Sequence, residues 1–234
     1  MLDEVTCLLQ SRDTLWERIR ANETTGLSIL KMGVFIMGSS ALYGAVLAGW
    51  RSPRLALYVA VKFPILLLGT TSLVMLLNWL CAVILGSGMS FRQSVALTYT
   101  AMGVACWILL GLIPVTAFFT FGVASDGGTD AARRLTHNCL LLTHIALIGC
   151  AGVAGNAALR RGIARIVKPT CNPRRIYWCW LLAFALVGCQ LSWILRPFIG
   201  SPFFEVRFIR PDALERNFFE FVCREVLPNV LRGG

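Results

Sequence analysis

Apolar residues run along this chain in five blocks, each close to the length of a hydrocarbon crossing. A helix needs about 20 apolar residues to span the bilayer core. Met32–Trp50 and Val95–Phe121 are uncharged, the latter containing Pro114. Leu55–Leu85 carries one charge, Lys62, and a break signal at Pro64. Leu135–Leu159 contains His137 and His144, and Ile176–Leu195 lies between Arg174–Arg175 and Arg196. The second block exceeds one perpendicular crossing but leaves no room for two. It tilts, kinks at Pro64 or starts along the interface.

The flanks read differently. Val5, Leu8, Leu9, Leu15, Trp16 and Ile19 fall near one helical face, opposite Asp13, Glu17 and Arg20. This predicts an amphipathic helix that lies in the interface, packs on a partner or covers its own bundle. The tail is punctuated by Pro197, Pro202, Pro211 and Pro228. Within it, Leu214, Phe218, Phe221 and Val222 recur at helical spacing after Asp212 and Glu215, which predicts a short helix. Phe203, Phe204 and Phe208 belong at the membrane interface. The expected fold class is all-α: a membrane bundle of five transmembrane helices with an amphipathic N-terminal helix and a short extramembrane C-terminal helix. The organisation is 1–25 amphipathic segment, 26–196 membrane domain and 197–234 tail, with no internal repeat.

Composition agrees. Apolar residues make up 56% of the 234, charged residues 15%, and mean hydropathy is +0.68. A soluble domain carries about 25% charged residues, so this chain lacks the charge to cover a water-facing surface. The net charge of +10 is uneven. Its densest cluster is Arg160, Arg161, Arg165, Lys168, Arg174 and Arg175, which reads as a short loop between two apolar blocks. Nucleic-acid binding calls for a basic stripe with interleaved aromatics on a folded face, and none is expected. With that loop, Arg18, Arg20, Lys31 and Arg92 lie on one side of the bilayer, against Arg51, Arg54, Arg133 and Arg134 on the other. The positive-inside rule then puts the N-terminus in the cytoplasm and, through an odd number of spans, the C-terminus outside. The basic loop is expected to meet anionic lipid. The first 25 residues lack the apolar core of a signal peptide, so the first span directs insertion. Nine cysteines without a C-x-x-C pair point to neither a disulfide scaffold nor a metal site.

Two stretches stand out as motifs. One is Leu186-Val-Gly-Cys-Gln-Leu-Ser-Trp-Ile-Leu-Arg-Pro-Phe-Ile-Gly-Ser-Pro202, the other Asn217-Phe-Phe-Glu220. Together they resemble a family of bacterial integral membrane proteins whose last span ends in Gln-Leu-x-Trp-x-Leu-Arg-Pro-Phe-x-Gly-Ser-Pro before an Asn-Phe-Phe/Tyr-Glu element. Lys62-Phe-Pro-Ile-Leu-Leu-Leu68 and Gly86-Ser-Gly-Met-Ser-Phe-Arg-Gln93 also look like that family's second span and the loop after it. The resemblance implies a bacterial inner-membrane location and supports the topology. It implies no activity. More loosely, the five-span plan is similar to the Yip family, whose N-terminus is cytoplasmic and whose C-terminus lies across the membrane. Yip proteins are associated with traffic and small GTPases, but no GTPase-binding motif stands here to carry that over.

The candidate chemistry is sparse. Arg196 before Pro197 either snorkels and caps the last carbonyls or anchors a lipid phosphate or partner carboxylate. Lys62 is expected to snorkel, since a charge at the bilayer centre costs about 2.5–3.5 kcal/mol on insertion scales; a substrate or ion role is the sharper alternative. Asn78, Asn156 and Gln190 are amides inside spans, read as interhelical glue. A polar pathway would instead need them to share a lumen with Thr98, Thr100 and Ser192. His137 and His144, seven residues apart, share a face, but a proton relay wants a carboxylate, and no Asp or Glu falls in any span. Gly38-Ser-Ser40 and Gly86-Ser-Gly88 are weak nucleophile look-alikes without a credible base. Small residues recur as Gly149, Gly152 and Gly155 and as Ser40, Gly44 and Ala48. They permit close backbone approach, within the monomer or between subunits. No catalytic, cofactor or metal residue is assigned. The function expected is that of a non-enzymatic structural or adaptor subunit contacting the bilayer and a protein partner or second copy; the alternative is an oligomeric channel or effector pore.

Overall fold

The structure is a computed structural model that describes residues 12–122, 130–200, 205–215 and 217–226. Its elements are α1 (Arg12–Arg20), α2 (Gly26–Ala48), α3 (Pro53–Ile84), α4 (Phe91–Gly111), α5 (Ile113–Gly122), α6 (Asp130–Ile166), α7 (Pro173–Leu195), a 3₁₀ turn (Pro211–Leu214), α8 (Phe218–Phe221) and a π-helical turn (Val222–Val226). Among the described residues there is no strand. The fold is an all-α bundle, and α2, α3, α4, α6 and α7 are long and apolar enough to cross a membrane.

Polar caps set where the spans begin. Thr25 Oγ1 accepts from Ser28 N at 3.1 Å and Ser52 Oγ from Leu55 N at 3.1 Å. Ser90 and Gln93 form a reciprocal capping box, and Asn172 Oδ1 accepts from Arg174 N at 3.0 Å. Each satisfies a first-turn N–H that has no partner within its helix. Helix α3 continues through Pro64. At 32 residues it is about 48 Å long, well over the core thickness.

Three boundaries depart from the apolar pattern. The third block splits: α4 stops at Gly111, Leu112 caps it, and α5 starts afresh with Pro114 at its second position. Pro114 cannot donate to the ladder of a continuing helix but fits a new first turn. Helix α6 runs on to Ile166, so Arg160, Arg161 and Arg165 lie on its last turns rather than in a loop. Arg174 and Arg175 open α7, and only Lys168 of the six lies between helices. Arginine is a good helix former, and polarity alone misplaced the helix end. In the tail, the expected single helix resolves into the 3₁₀ turn and α8. Of the amphipathic segment, α1 buries Trp16 and Ile19, while Val5, Leu8 and Leu9 lie outside the described residues.

Helix α2 packs on α3 and α4, α3 on α7, and α4 on α6, while α5 folds back against α2. Two of these crossings are backbone-close. A Cβ on Gly44 would stand 2.7 Å from the Val59 carbonyl oxygen, and one on Gly155 3.0 Å from that of Ala101. The α1 face of the bundle is tied by Asp13–Arg165 (2.5 Å) and by Gln93 Nε2 donating to Arg20 O at 2.8 Å. The described tail residues, 197–200, 205–215 and 217–226, lie on the opposite face, against Lys62, Trp50 and Gln190.

Candidate functional site

On the tail face, the two motifs fold onto each other. Gln190 Oε1 accepts from Phe218 N at 3.1 Å, supplying a first-turn acceptor to α8. Asn217 Oδ1 accepts from Glu220 N at 2.7 Å and caps the same turn. The Trp193 ring packs on Phe221 (4.8 Å between centroids) and Phe218 (6.3 Å). Arg196 stacks over Trp193 with its guanidinium carbon 3.4 Å from the ring centroid. The Arg196–Pro197 peptide bond is cis. Beyond it, Ile199 O accepts from Trp50 Nε1 at 3.0 Å, and Phe198 meets Phe63 edge-on at 6.2 Å. Gly200 has φ +73, a region that glycine adopts without strain.

Lys62 does not reach the surface. It is fully buried, donates to Pro197 O at 3.2 Å, and lies 5.0 Å from the centroid of Phe208. Among the described residues no carboxylate pairs with it. The tail comes down to the lysine, so the ammonium gains a carbonyl and an aromatic face without leaving the protein. This contact could not be read from sequence, since Lys62 and Pro197 lie 135 residues apart.

A second feature opens between α6 and α7. It is an apolar groove of about 230 Å³, lined from α3 by Phe63 and Leu67, from α4 by Thr98 to Leu109, from α6 by Ile148 to Leu159, and from α7 by Leu181 and Phe184. Gly155 marks the α4 wall and Gly152 and Asn156 the α7 side; a Cβ on Gly152 would meet nothing within 4 Å. Gly149 lies outside the groove and is equally open. The small residues of α6 therefore include one close crossing and two positions with room to spare.

The remaining candidates spend their polar atoms locally. Asn156 Nδ2 donates to Gly152 O of its own helix at 2.9 Å. Ser40 Oγ returns to Ile36 O at 2.5 Å, and Ala48 is fully buried. Asn78 is buried with no side-chain partner among the described residues, while its backbone carbonyl accepts from Trp180 Nε1 at 2.7 Å. Thr98 donates to Ser94 O and Ser192 to Cys189 O. Thr100 is buried. His144 is fully buried with neither ring nitrogen bonded to a described residue, while the His137 ring lies 5.9 Å from that of Trp50. Arg160, Arg161, Arg165, Lys168, Arg174 and Arg175 are all exposed, Arg165 being the one paired with Asp13. Among the described residues no group of three His, Cys, Asp or Glu is arranged to hold a metal ion.

No protein-family model, curated protein or solved structure matches this chain.

Proposed function

We propose that this multi-pass helical membrane protein is a non-enzymatic structural or adaptor subunit of a membrane complex. The observation that carries the reading is how its distinctive polar residues are spent. Lys62, Gln190 and Trp193 hold the tail to the bundle, while Asp13, Arg165 and Gln93 hold α1 to the opposite face. Each face thus presents an ordered element fixed to the same five spans, which suits a protein that couples partners across a bilayer.

The location that fits is a bacterial inner membrane, with the N-terminus cytoplasmic and the C-terminus outside. The basic ends of α6 and α7 would then meet anionic lipid on the cytoplasmic leaflet. Reporter fusions at the two termini are expected to light up in different compartments. Purification in mild detergent followed by native mass spectrometry is expected to retain a stoichiometric partner or a second copy. A bare monomer under every mild condition overturns the adaptor reading.

One observation favours the alternative, an oligomeric pore. Asn78 and His144 are buried in spans with side-chain atoms that bond no described residue, and such groups want water or a polar neighbour. Flux from vesicles containing the protein separates the two readings: ion leakage supports the pore, and its absence across lipid compositions removes it.

A further inference from the structure

Past the end of the groove marked by Leu159 and Leu181, α6 and α7 each carry an arginine on the helical face that lines it. On α7, Arg174 precedes Leu181 by two turns and lies on the same helical face. On α6, Arg160 follows Asn156 by one turn, on the side turned away from the Ala101 crossing. Both arginines are exposed, and among the described residues neither is ion-paired. The N-terminus of α7, capped by Asn172, adds its positive end beyond Arg174, about two turns past Leu181. Toward Ile148 and Leu109 the lining is apolar apart from Thr98 and Asn156, whose polar atoms bond carbonyls of their own helices. At about 230 Å³ the space exceeds the roughly 150 Å³ apolar cavity that takes up benzene. Its flanking residues Ile148, Gly152, Leu181 and Phe184 are half-buried, as at the edge of a groove open to the bilayer.

Building on the anionic-lipid contact proposed above, we propose that this groove is a binding site for one anionic glycerophospholipid. One acyl chain lies along α6 against Gly152 and Phe184, and the phosphate sits between Arg160 and Arg174. The apolar floor alone accepts any chain. The paired guanidinium groups, whose forked donors match phosphate oxygens, select the headgroup charge. The absence of a side chain at Gly152 leaves the passage the chain occupies.

The full-length protein is reconstituted in vesicles containing, at equal mole fraction, either phosphatidylglycerol or phosphatidylcholine with a photoactivatable mid-chain group. Labelled peptides are then mapped by mass spectrometry. Phosphatidylglycerol is expected to label 148–159 and 181–184 about thirtyfold more than phosphatidylcholine, the scale of two arginines beside an anionic headgroup. The double variant Arg160→Gln/Arg174→Gln is expected to bring the two lipids level. Arg161→Gln, on another face of α6, is expected to change nothing. Gly152→Leu is expected to remove groove labelling by both lipids, and Gly149→Leu to leave it intact. If Gly152→Leu fails to fold, the smaller Gly152→Val adds bulk at the same open position and is read in its place. Equal labelling by the two lipids in the natural protein overturns the site. So does a preference lost equally in Arg161→Gln, which would leave only a diffuse attraction of the basic face.

Discussion

Helix α7 has two flanks, and they are built in opposite ways. Toward α3, Ile176 and Trp180 are fully buried, and the Trp180 indole donates across the seam to the Asn78 carbonyl at 2.7 Å. Toward α6, Leu181 and Phe184 are half-buried and face an open groove of about 230 Å³. Both flanks are apolar, so hydrophobicity does not distinguish them; within a bilayer it drives no helix association in any case. What differs is whether side chains interlock. The α3 flank holds the helix in place, and the α6 flank leaves room for a lipid chain.

The largest effect is expected on the closed flank. Trp180→Ala removes the bulkiest side chain of the seam and its hydrogen bond, leaving a cavity that costs roughly 3 kcal/mol or more. Thermal unfolding in detergent is expected to shift down accordingly. Trp180→Phe keeps most of the ring and loses the bond alone, for about 1 kcal/mol. A Trp180→Ala protein as stable as the natural one would mean that the α3 flank is no tighter than the other.

Next comes the far wall of the groove. Gly155→Leu places a side chain where even a Cβ stands 3.0 Å from both the Ala101 carbonyl and the Ala105 Cβ. Pushing α4 and α6 apart is expected to cost about 1–3 kcal/mol, read by the same melting experiment.

The five spans and their order follow from apolar run length, because a bilayer demands that length and little else competes with it. The stops are harder to read. The third block stays apolar through Pro114, so composition hides the break that the missing N–H enforces. The basic residues after Leu159 look like loop because they are charged, yet arginines propagate a helix as it leaves the hydrocarbon. The Gly149, Gly152 and Gly155 run looks uniform on paper. A three-residue step, however, falls about 60° short of a full turn, so only Gly155 faces Ala101, while Gly152 borders the groove and Gly149 lies beyond it. Gln190 and Phe218, and Lys62 and Pro197, meet across long separations that no local pattern encodes.

The tail tests a third level of closure. Gln190→Ala removes the side-chain acceptor for Phe218 N but leaves the Trp193 stack on Phe221. The expected loss is about 1 kcal/mol, or about fivefold in the population with α8 undocked. Tryptic cleavage at Arg224, three residues after α8 and paired with Glu220, is expected to rise by that factor while the bundle melts as before. An unchanged rate would show that the aromatic stack alone holds the tail.

The smallest effect is expected where the groove is open. Gly152→Leu adds a side chain on the same helix, three residues from Gly155, in a position where a Cβ meets nothing within 4 Å. No backbone has to move, and a helix-interior glycine is itself less favourable than most residues by up to about 1 kcal/mol. The melting temperature in detergent is therefore expected to stay level or rise slightly, within about 0.5 kcal/mol. In lipid the same substitution competes with the acyl chain for the groove. Any stabilisation that added phosphatidylglycerol confers on the natural protein is expected to be absent from the variant, because a ligand stabilises only the state it can enter. Equal loss of stability in Gly152→Leu and Gly155→Leu would mean that the groove is closed in the membrane, and the contrast between the two flanks of α7 would then disappear.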